Sequence, residues 1–206
     1  MNKAQRSELT KQAILSAAAD LFTSTGFEKV TMREIAKQAG CSHTAIYIYF
    51  QDKETLLFQL AKQPLQQLQD RLHELQQDTK LAPDATLKQM ALALIHFGLT
   101  HRSMYHLFFF ARSSRVDEKE SNLVIQKLRN NLFSVLRSSM ADMINAPEDD
   151  TQTLAFTRAF YYCLHGIITT YLESDESDSE LHVRLDDTFE LTIDLFLAGI
   201  RQHIQR

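Results

Sequence analysis

Apolar residues recur along this chain at intervals of three and four, the spacing of one helix face, and alternating apolar and polar runs are few. Ile14, Ala17, Ala18, Leu21 and Phe22 form one such stripe and predict an amphipathic first helix that ends at Gly26-Phe27. Ile35, Ala36 and Ala39 predict a short second helix, and Ile46 and Phe50 the buried side of a third. Leu65, Leu68, Leu72 and Leu75 continue a stripe on a helix that starts near Lys53 behind a capping Asp52; Pro64 lies within it and should kink or interrupt it. Further helices are expected from Ala82-Pro83-Asp84 to about Thr100, over Ser103 to Arg112, Glu118 to Ile144, Asp149 to Glu173 and Leu181 to His203. The breaks between the later ones fall at 113–117, Asn145-Ala146-Pro147 and the acidic stretch 173–180. Five glycines and three prolines leave little room for sheet. The expected fold is all-α: a three-helix N-terminal head over residues 1–52 and a roughly six-helix C-terminal body over 53–206.

The junction between the second and third helices carries the chemistry. Thr31 stands three residues before Glu34, the spacing of a capping box. Gly40 supplies the left-handed residue that ends a helix, and Ser42 is a good cap for the next. His43, Thr44, Ala45 and Tyr47 are then left facing outward. Two short helices joined by a tight turn form a helix-turn-helix, in which the N-terminal residues of the second helix meet base edges while amides and hydroxyls meet phosphate. The same caps also suit an ordinary helical hairpin.

TMREIAKQAGCSHTAIYIYFQDKETLL resembles the N-terminal helix-turn-helix of TetR-type transcriptional regulators, and the likeness runs from about Ile14 to Leu57. ILSAAADLFTSTGFEKVTM shares the family's amphipathic helix ending at a Gly-aromatic pair, here Gly26 and Phe27. The resemblance implies backbone-positioning roles for Thr31, Arg33, Tyr47 and Lys53, with Ser42, His43, Thr44 and Ala45 near base edges. Three positions depart from the family pattern: Thr44 replaces a frequent glycine, Cys41 a frequent valine, and Ile48 a usually polar residue. The operator sequence therefore does not carry over. Thr44 and Ala45 can offer methyl contacts to thymine, His43 can donate to guanine or to phosphate, and Ile48 is expected to pack.

Two C-terminal segments resemble one subset of the family: SMYHLFF at 103–109 and YYCLHG at 161–166, where Tyr161 stands in place of a tryptophan. They imply a regulatory domain. The family resemblance further implies a double-stranded DNA operator, a small-molecule effector that releases a repressor, and a homodimer formed by the last two long helices.

Those helices also have apolar surface to spare. Phe156, Phe160, Cys163, Leu164, Ile167 and Tyr171 make one stripe, and small residues Ala155, Ala159, Gly166 and Thr170 a second. The last helix adds Ile193, Leu197 and Ile200. Two copies can pair as a four-helix bundle, or the same surfaces can serve as core within one chain. For the dimer interface the candidates are Ala155, Ala159, Gly166, Thr170, Ile193, Leu197 and Ile200. An effector pocket needs apolar walls and a few convergent polar groups; His96, Phe97, Tyr105, Phe109, Phe133, Tyr162 and His165 are its candidates, with core packing as the alternative for the aromatics and for His165. Pro64 is a candidate hinge between the ends of its helix.

Charge sharpens this picture only slightly. The first 62 residues carry eight Lys/Arg against six Asp/Glu, a net of +2, so a chain of net −4 leaves −6 for the rest. A mildly basic head on an acidic body suits contact with DNA at one end. Lys3 and Arg6, ahead of the first helix, are either a solvated terminus or phosphate contacts. No apolar stretch is long enough to span a bilayer and no leader precedes the head, so a cytoplasmic protein without membrane contact is expected. Two cysteines without metal-like spacing suggest neither a disulfide framework nor a zinc site; Cys41, at the turn of the head, leaves a redox-sensing regulator as an alternative. His96, His101 and His106 recur at intervals of five, about 140° apart per step on a helix, and cannot converge there. No cofactor, metal or catalytic set is expected, and a helical enzyme or carrier using Tyr162, Cys163 or His165 lacks a nucleophile, base and orienter.

Overall fold

The computed structural model describes residues 2–105 and 124–205. Within them the chain is helical with no strand: α1 (Lys3–Thr25), a 3-10 turn (Phe27–Lys29), α2 (Met32–Gln38), α3 (His43–Tyr49), α4 (Lys53–Gln77), α5 (Pro83–Thr100), α6 (Val124–Ile144), α7 (Thr151–Thr170) and α8 (Asp178–Ile204). A further helical turn covers 102–105; the rest of the expected aromatic helix, and the expected start of α6 at Glu118, lie outside the described residues. The all-α expectation holds. Two compact units are present, 1–66 and 67–206, so α4 begins in the first and ends in the second.

The first unit is built on the α1 stripe. Ile14, Ala17, Ala18 and Phe22 are buried, Leu21 half so, and Ile35, Ala36, Ile46 and Phe50 join them in the core. Phe22 and Phe27 meet edge to face at 5.1 Å, which seats the 3-10 turn on α1. Lys3 and Arg6 do not precede the first helix. Asn2 accepts the Gln5 amide while its own amide donates to Gln5 Oε1, and this capping box starts α1 at Lys3. Pro64 does not interrupt α4, which is one helix from Lys53 to Gln77. Asp52 opens it by accepting the Thr55 amide at 2.7 Å.

In the second unit α5 packs against α6, α7 and α8, and α7 packs against both α6 and α8. Helix α6 ends where expected: Asn145 takes a left-handed φ of 53°, and the Ala146 amide donates to the Ala141 carbonyl, closing a Schellman turn before Pro147. α8 starts three residues earlier than the apolar pattern indicates. Ser177 and Glu180 form a reciprocal capping box, so Asp178 already belongs to the helix. The preceding acidic stretch is no mere connector: Arg102 donates to the carbonyls of Ser174 and Glu176, and Arg184 pairs with the Glu176 carboxylate. α5 and α8 run antiparallel along a row of polar contacts. Thr100 donates to Asp178, Lys88 lies between Glu190 and Asp194, and Arg201 pairs with Asp84. These exposed ion pairs fix register more than they add stability.

The core of this unit encloses a polar cluster. Arg129 and Tyr161 are buried and hydrogen-bonded to each other, and the Tyr105 hydroxyl lies 2.6 Å from His165 Nδ1. The Tyr161 ring stacks on His165 at 5.7 Å and meets Phe133 edge on. Burial pushes the Tyr161 hydroxyl up to about 12 and the Tyr105 hydroxyl higher still, so both remain protonated donors. Burial, and then the Arg129 charge, hold the His165 imidazole below its ordinary value; burial also lowers His101.

Two predictions follow from this packing. At Gly98 a Cβ would lie 2.6 Å from Ile168 Cγ2, whose side chain is fully buried and stiff at χ1. Overpacking of about 1–3 kcal/mol outweighs the ~1 kcal/mol of helix propensity gained, so Gly98→Ala should lower the urea midpoint. The depressed histidines give a pH dependence of known sign. Below about pH 6.5 the unfolded chain binds protons that folded His101 and His165 refuse, so stability is full above that value and falls as pH drops through it. Urea midpoints from pH 7 to 5.5 should fall, and less steeply in His165→Gln.

Candidate nucleic-acid interface

The helix-turn-helix is assembled from caps at its ends and a narrow apolar underside. Thr31 accepts the Glu34 amide through Oγ1 at 3.3 Å, while its own amide and hydroxyl both donate to Glu34 Oε2 at 2.8 Å. Hydrogen bonds from the Thr31 side chain and amide hold the Glu34 carboxyl below its usual value. At the other end of α2, Gly40 adopts φ 69°. Its amide donates to Lys37 and that of Cys41 to Ala36, the paired bonds of a Schellman turn. Ser42 Oγ then accepts the Ala45 amide at 3.0 Å and starts α3. A side chain at Gly40 would meet open space but would be strained by the positive φ.

α3 shows two sharply different faces. Ile46 is wholly buried and Phe50 nearly so, whereas Ser42, His43, Thr44 and Tyr47 are exposed and Ala45 is half-buried. His43 and Tyr47 meet edge to face at 5.3 Å, one turn apart, so the two rings form a single ridge. Ile48 does not pack: it is 78% exposed beside Tyr47. Its register places it about half a turn from Ile46, opposite the buried side, which the expectation of packing overlooked. Arg33 is exposed on α2, so its charge is available to a ligand of this face.

Two candidates are occupied within the chain. The Thr31 hydroxyl is committed to Glu34, as described. Lys53 Nζ donates to the carbonyls of Phe27 and Glu28 at 3.0 and 3.2 Å and lies 4.4 Å from the Phe27 ring centroid. It therefore closes the 3-10 turn, a role that its position just after α3 did not signal.

The remaining candidates lie in the second unit. Phe97, Tyr105 and Phe133 are buried and His165 half-buried; Tyr105 and His165 belong to the polar cluster with Arg129 and Tyr161. Arg129 was missed although its register was legible: it shares an apolar helical stripe with Leu132, Phe133, Leu136 and Met140, all buried. Phe109 lies outside the described residues. Tyr162 is 65% exposed, and His96 is also exposed. Tyr162 shares its face of α7 with Ala155, Ala159, Gly166 and Thr170, all exposed. On α8 the three interface candidates Ile193, Leu197 and Ile200 are instead buried within the chain, because they continue the stripe Leu181, Leu185 and Phe189 that faces inward. The large exposed apolar residues of α8 are Val183, Leu191, Leu195 and Ile204.

Both cysteines are partly buried, and burial raises each thiol above its ordinary value. That suppresses the thiolate on which a redox sensor depends, so the geometry does not favour sensing through Cys41. Among the described residues no helix is long and apolar enough to cross a membrane.

Comparison with known proteins agrees with this construction. Residues 14–60 match the family model of bacterial regulatory proteins of the tetR family, and residues 87–196 match the tetracyclin repressor-like C-terminal domain. The fatty acid metabolism regulator protein of Bacillus subtilis is 27% identical over 172 residues, covering 84% of this chain and 73% of that protein. The HTH-type regulator YhgD of the same organism is 26% identical over 136 residues, covering 66% and 70%. The structure of the fatty acid degradation regulator FadR from Bacillus halodurans superposes with a TM-score of 0.62 at 16% identity, over 91% of this chain and 94% of that one, a likeness of fold. These relatives are transcriptional regulators rather than enzymes. With its helix-turn-helix and its C-terminal domain both matched, the chain belongs to the TetR family of DNA-binding transcriptional regulators.

Proposed function

We propose that the chain is a homodimeric repressor that reads a palindromic operator through α3 and leaves it when a small apolar effector binds the C-terminal body. The observation that carries this reading is the outer face of α3: Ser42, His43, Thr44, Tyr47 and Ile48 stand exposed around a helix whose opposite side is anchored by Ile46. Ser42, His43, Thr44 and Ala45 meet base edges, with Thr44, Ala45 and Ile48 offering methyl groups to thymine. Arg33 and Tyr47 contact phosphates, and Thr31 and Lys53 act indirectly by holding the ends of the head in place.

The dimer forms on the faces of α7 and α8 that the single chain leaves uncovered. Ala155, Ala159, Tyr162, Gly166 and Thr170 follow one another at helical spacing on α7, with small residues that permit close approach; Leu191 and Leu195 supply the matching apolar surface on α8. Pairing makes the second half-site contact intramolecular and multiplies operator affinity.

The effector is an apolar molecule with one polar group, read by Tyr105, His165, Tyr161 and Arg129 among Phe97 and Phe133. Two similar proteins carry names that place them in fatty acid metabolism or degradation, which supports an effector of that chemical character. An effector that binds the DNA-incompetent state a hundredfold better weakens operator binding by about 2.7 kcal/mol.

Two measurements test the reading. On long random-sequence duplex DNA, Arg33→Ala should weaken binding and reduce the slope of log K against log salt by about one; an unchanged slope removes Arg33 from the phosphate contacts. In sedimentation equilibrium Leu191→Glu with Leu195→Glu should convert a dimer to a folded monomer, and a dimer that persists would move the interface elsewhere.

A further inference from the structure

His96, the one histidine of α5, meets two side chains from the start of α8. Among the described residues, His96, Asp178 and His182 bring one ligating atom each to within 4.8 Å of one another. Asp178 and His182 are one turn apart on α8, the spacing that aims two side chains at a single point. We propose that these three residues bind a divalent transition-metal ion of the zinc type.

The surroundings favour a built site over a chance encounter. Asp178 Oδ1 and His182 Nε2 lie 3.0 Å apart, close to the edge of a tetrahedral zinc shell with bonds of about 2.0–2.1 Å. Both atoms are buried, and neither makes a hydrogen bond, their mutual contact included. Buried polar atoms without hydrogen-bond partners call for an ion or other ligand. The outward-facing atoms of the same two side chains are held. His182 Nδ1 lies 2.7 Å from Asp186 Oδ1, and Asp178 Oδ2 accepts the Thr100 hydroxyl at 2.9 Å. A carboxylate on the far nitrogen of a ligating histidine fixes its tautomer and leaves the near nitrogen as a lone pair, the usual support of a histidine–metal bond.

The His96 ring stacks on that of His182 at 4.4 Å, and because His96 is exposed it can turn its edge toward the same point without disturbing the core. Two imidazoles and a carboxylate suit zinc and its neighbours and not magnesium or calcium, which take oxygen ligands. Asp178 and Asp186 balance the ion's two charges, and three protein ligands leave a fourth position for water or an anion. The site would join the end of α5 to the start of α8. It is independent of the effector cluster and of the reading of α3.

The test is titration of the untagged full-length protein, stripped with chelator, with Zn²⁺ against a competing indicator and with Co²⁺ followed by visible absorption. One ion per chain is expected, with cobalt bands of a four- or five-coordinate site. His96→Ala, on an exposed side chain, should weaken binding at least about tenfold; Asp178→Asn should abolish it; and Asp186→Asn, which loses only the outer support, should weaken it by about 10–100-fold. Helical circular dichroism checks that each variant is folded. Absence of stoichiometric zinc binding in the parent would overturn the proposal, as would folded His96→Ala and His182→Ala variants that bind as tightly as the parent.

Discussion

The reading head depends on holding two helices that could not persist alone. α2 and α3 have seven residues each, two turns apiece, well below the length at which an isolated helix is stable in water. Their existence rests on satisfying the orphan amides at both N-termini, through Thr31 with Glu34 and through Ser42, and on burying Ile35, Ala36, Ile46 and Phe50 against α1 and its neighbours. The Gly40 turn sets the angle between them. Because so much of α3 is held from beneath and behind, its outer residues beyond the capping Ser42 carry no structural duty and are available to a partner. Specificity can therefore vary at His43, Thr44 and Ile48 without cost to the fold.

In the C-terminal body the organising constraint is α5, which contacts α6, α7 and α8. Gly98 lets α7 approach closely enough for Ile168 to seat on the α5 backbone, and the row from Asp84 to Thr100 holds α8 in antiparallel register. With their inner faces consumed in this way, α7 and α8 present outward the small residues 155, 159, 166 and 170 together with Leu191 and Leu195. The division of each helix into an inner stripe and an apolar outer stripe accounts for the all-round hydrophobicity of the α7 sequence. Charged and hydroxyl groups inside the body collect around Arg129, where a buried position on an otherwise apolar stripe introduces a cation among tyrosines and His165.

Local signals were legible in the sequence and long-range ones were not. Thr31 with Glu34, Gly40, Ser42, Asp52 and Asn145 announce helix ends because the hydrogen bonds involved span only a few residues. The Ser177–Glu180 box has the same form but was hidden in an acidic run that reads as solvated loop. Ile193, Leu197 and Ile200 show why a stripe cannot be assigned to an interface by composition: both faces of α8 carry leucine-sized residues, and only packing against α5 decides which is inside. Lys53 reads as a phosphate ligand until its carbonyl partners, 25 and 26 residues upstream, are known. His96 was weighed only against histidines on its own side of the chain, whereas its neighbours come from α8, more than 80 residues later. Pro64 has every local mark of a helix breaker, and α4 nonetheless continues through it.

The central claim is that the exposed face of α3, presented twice by a dimer, selects a particular DNA sequence. Selection of duplexes from a random library by the purified protein at physiological salt, with sequencing of those retained, tests this most directly. The account predicts an enriched palindrome whose half-sites lie about one helical turn or a multiple of it apart. Retention without enrichment of any sequence, or enrichment of a single unrepeated half-site, would contradict it.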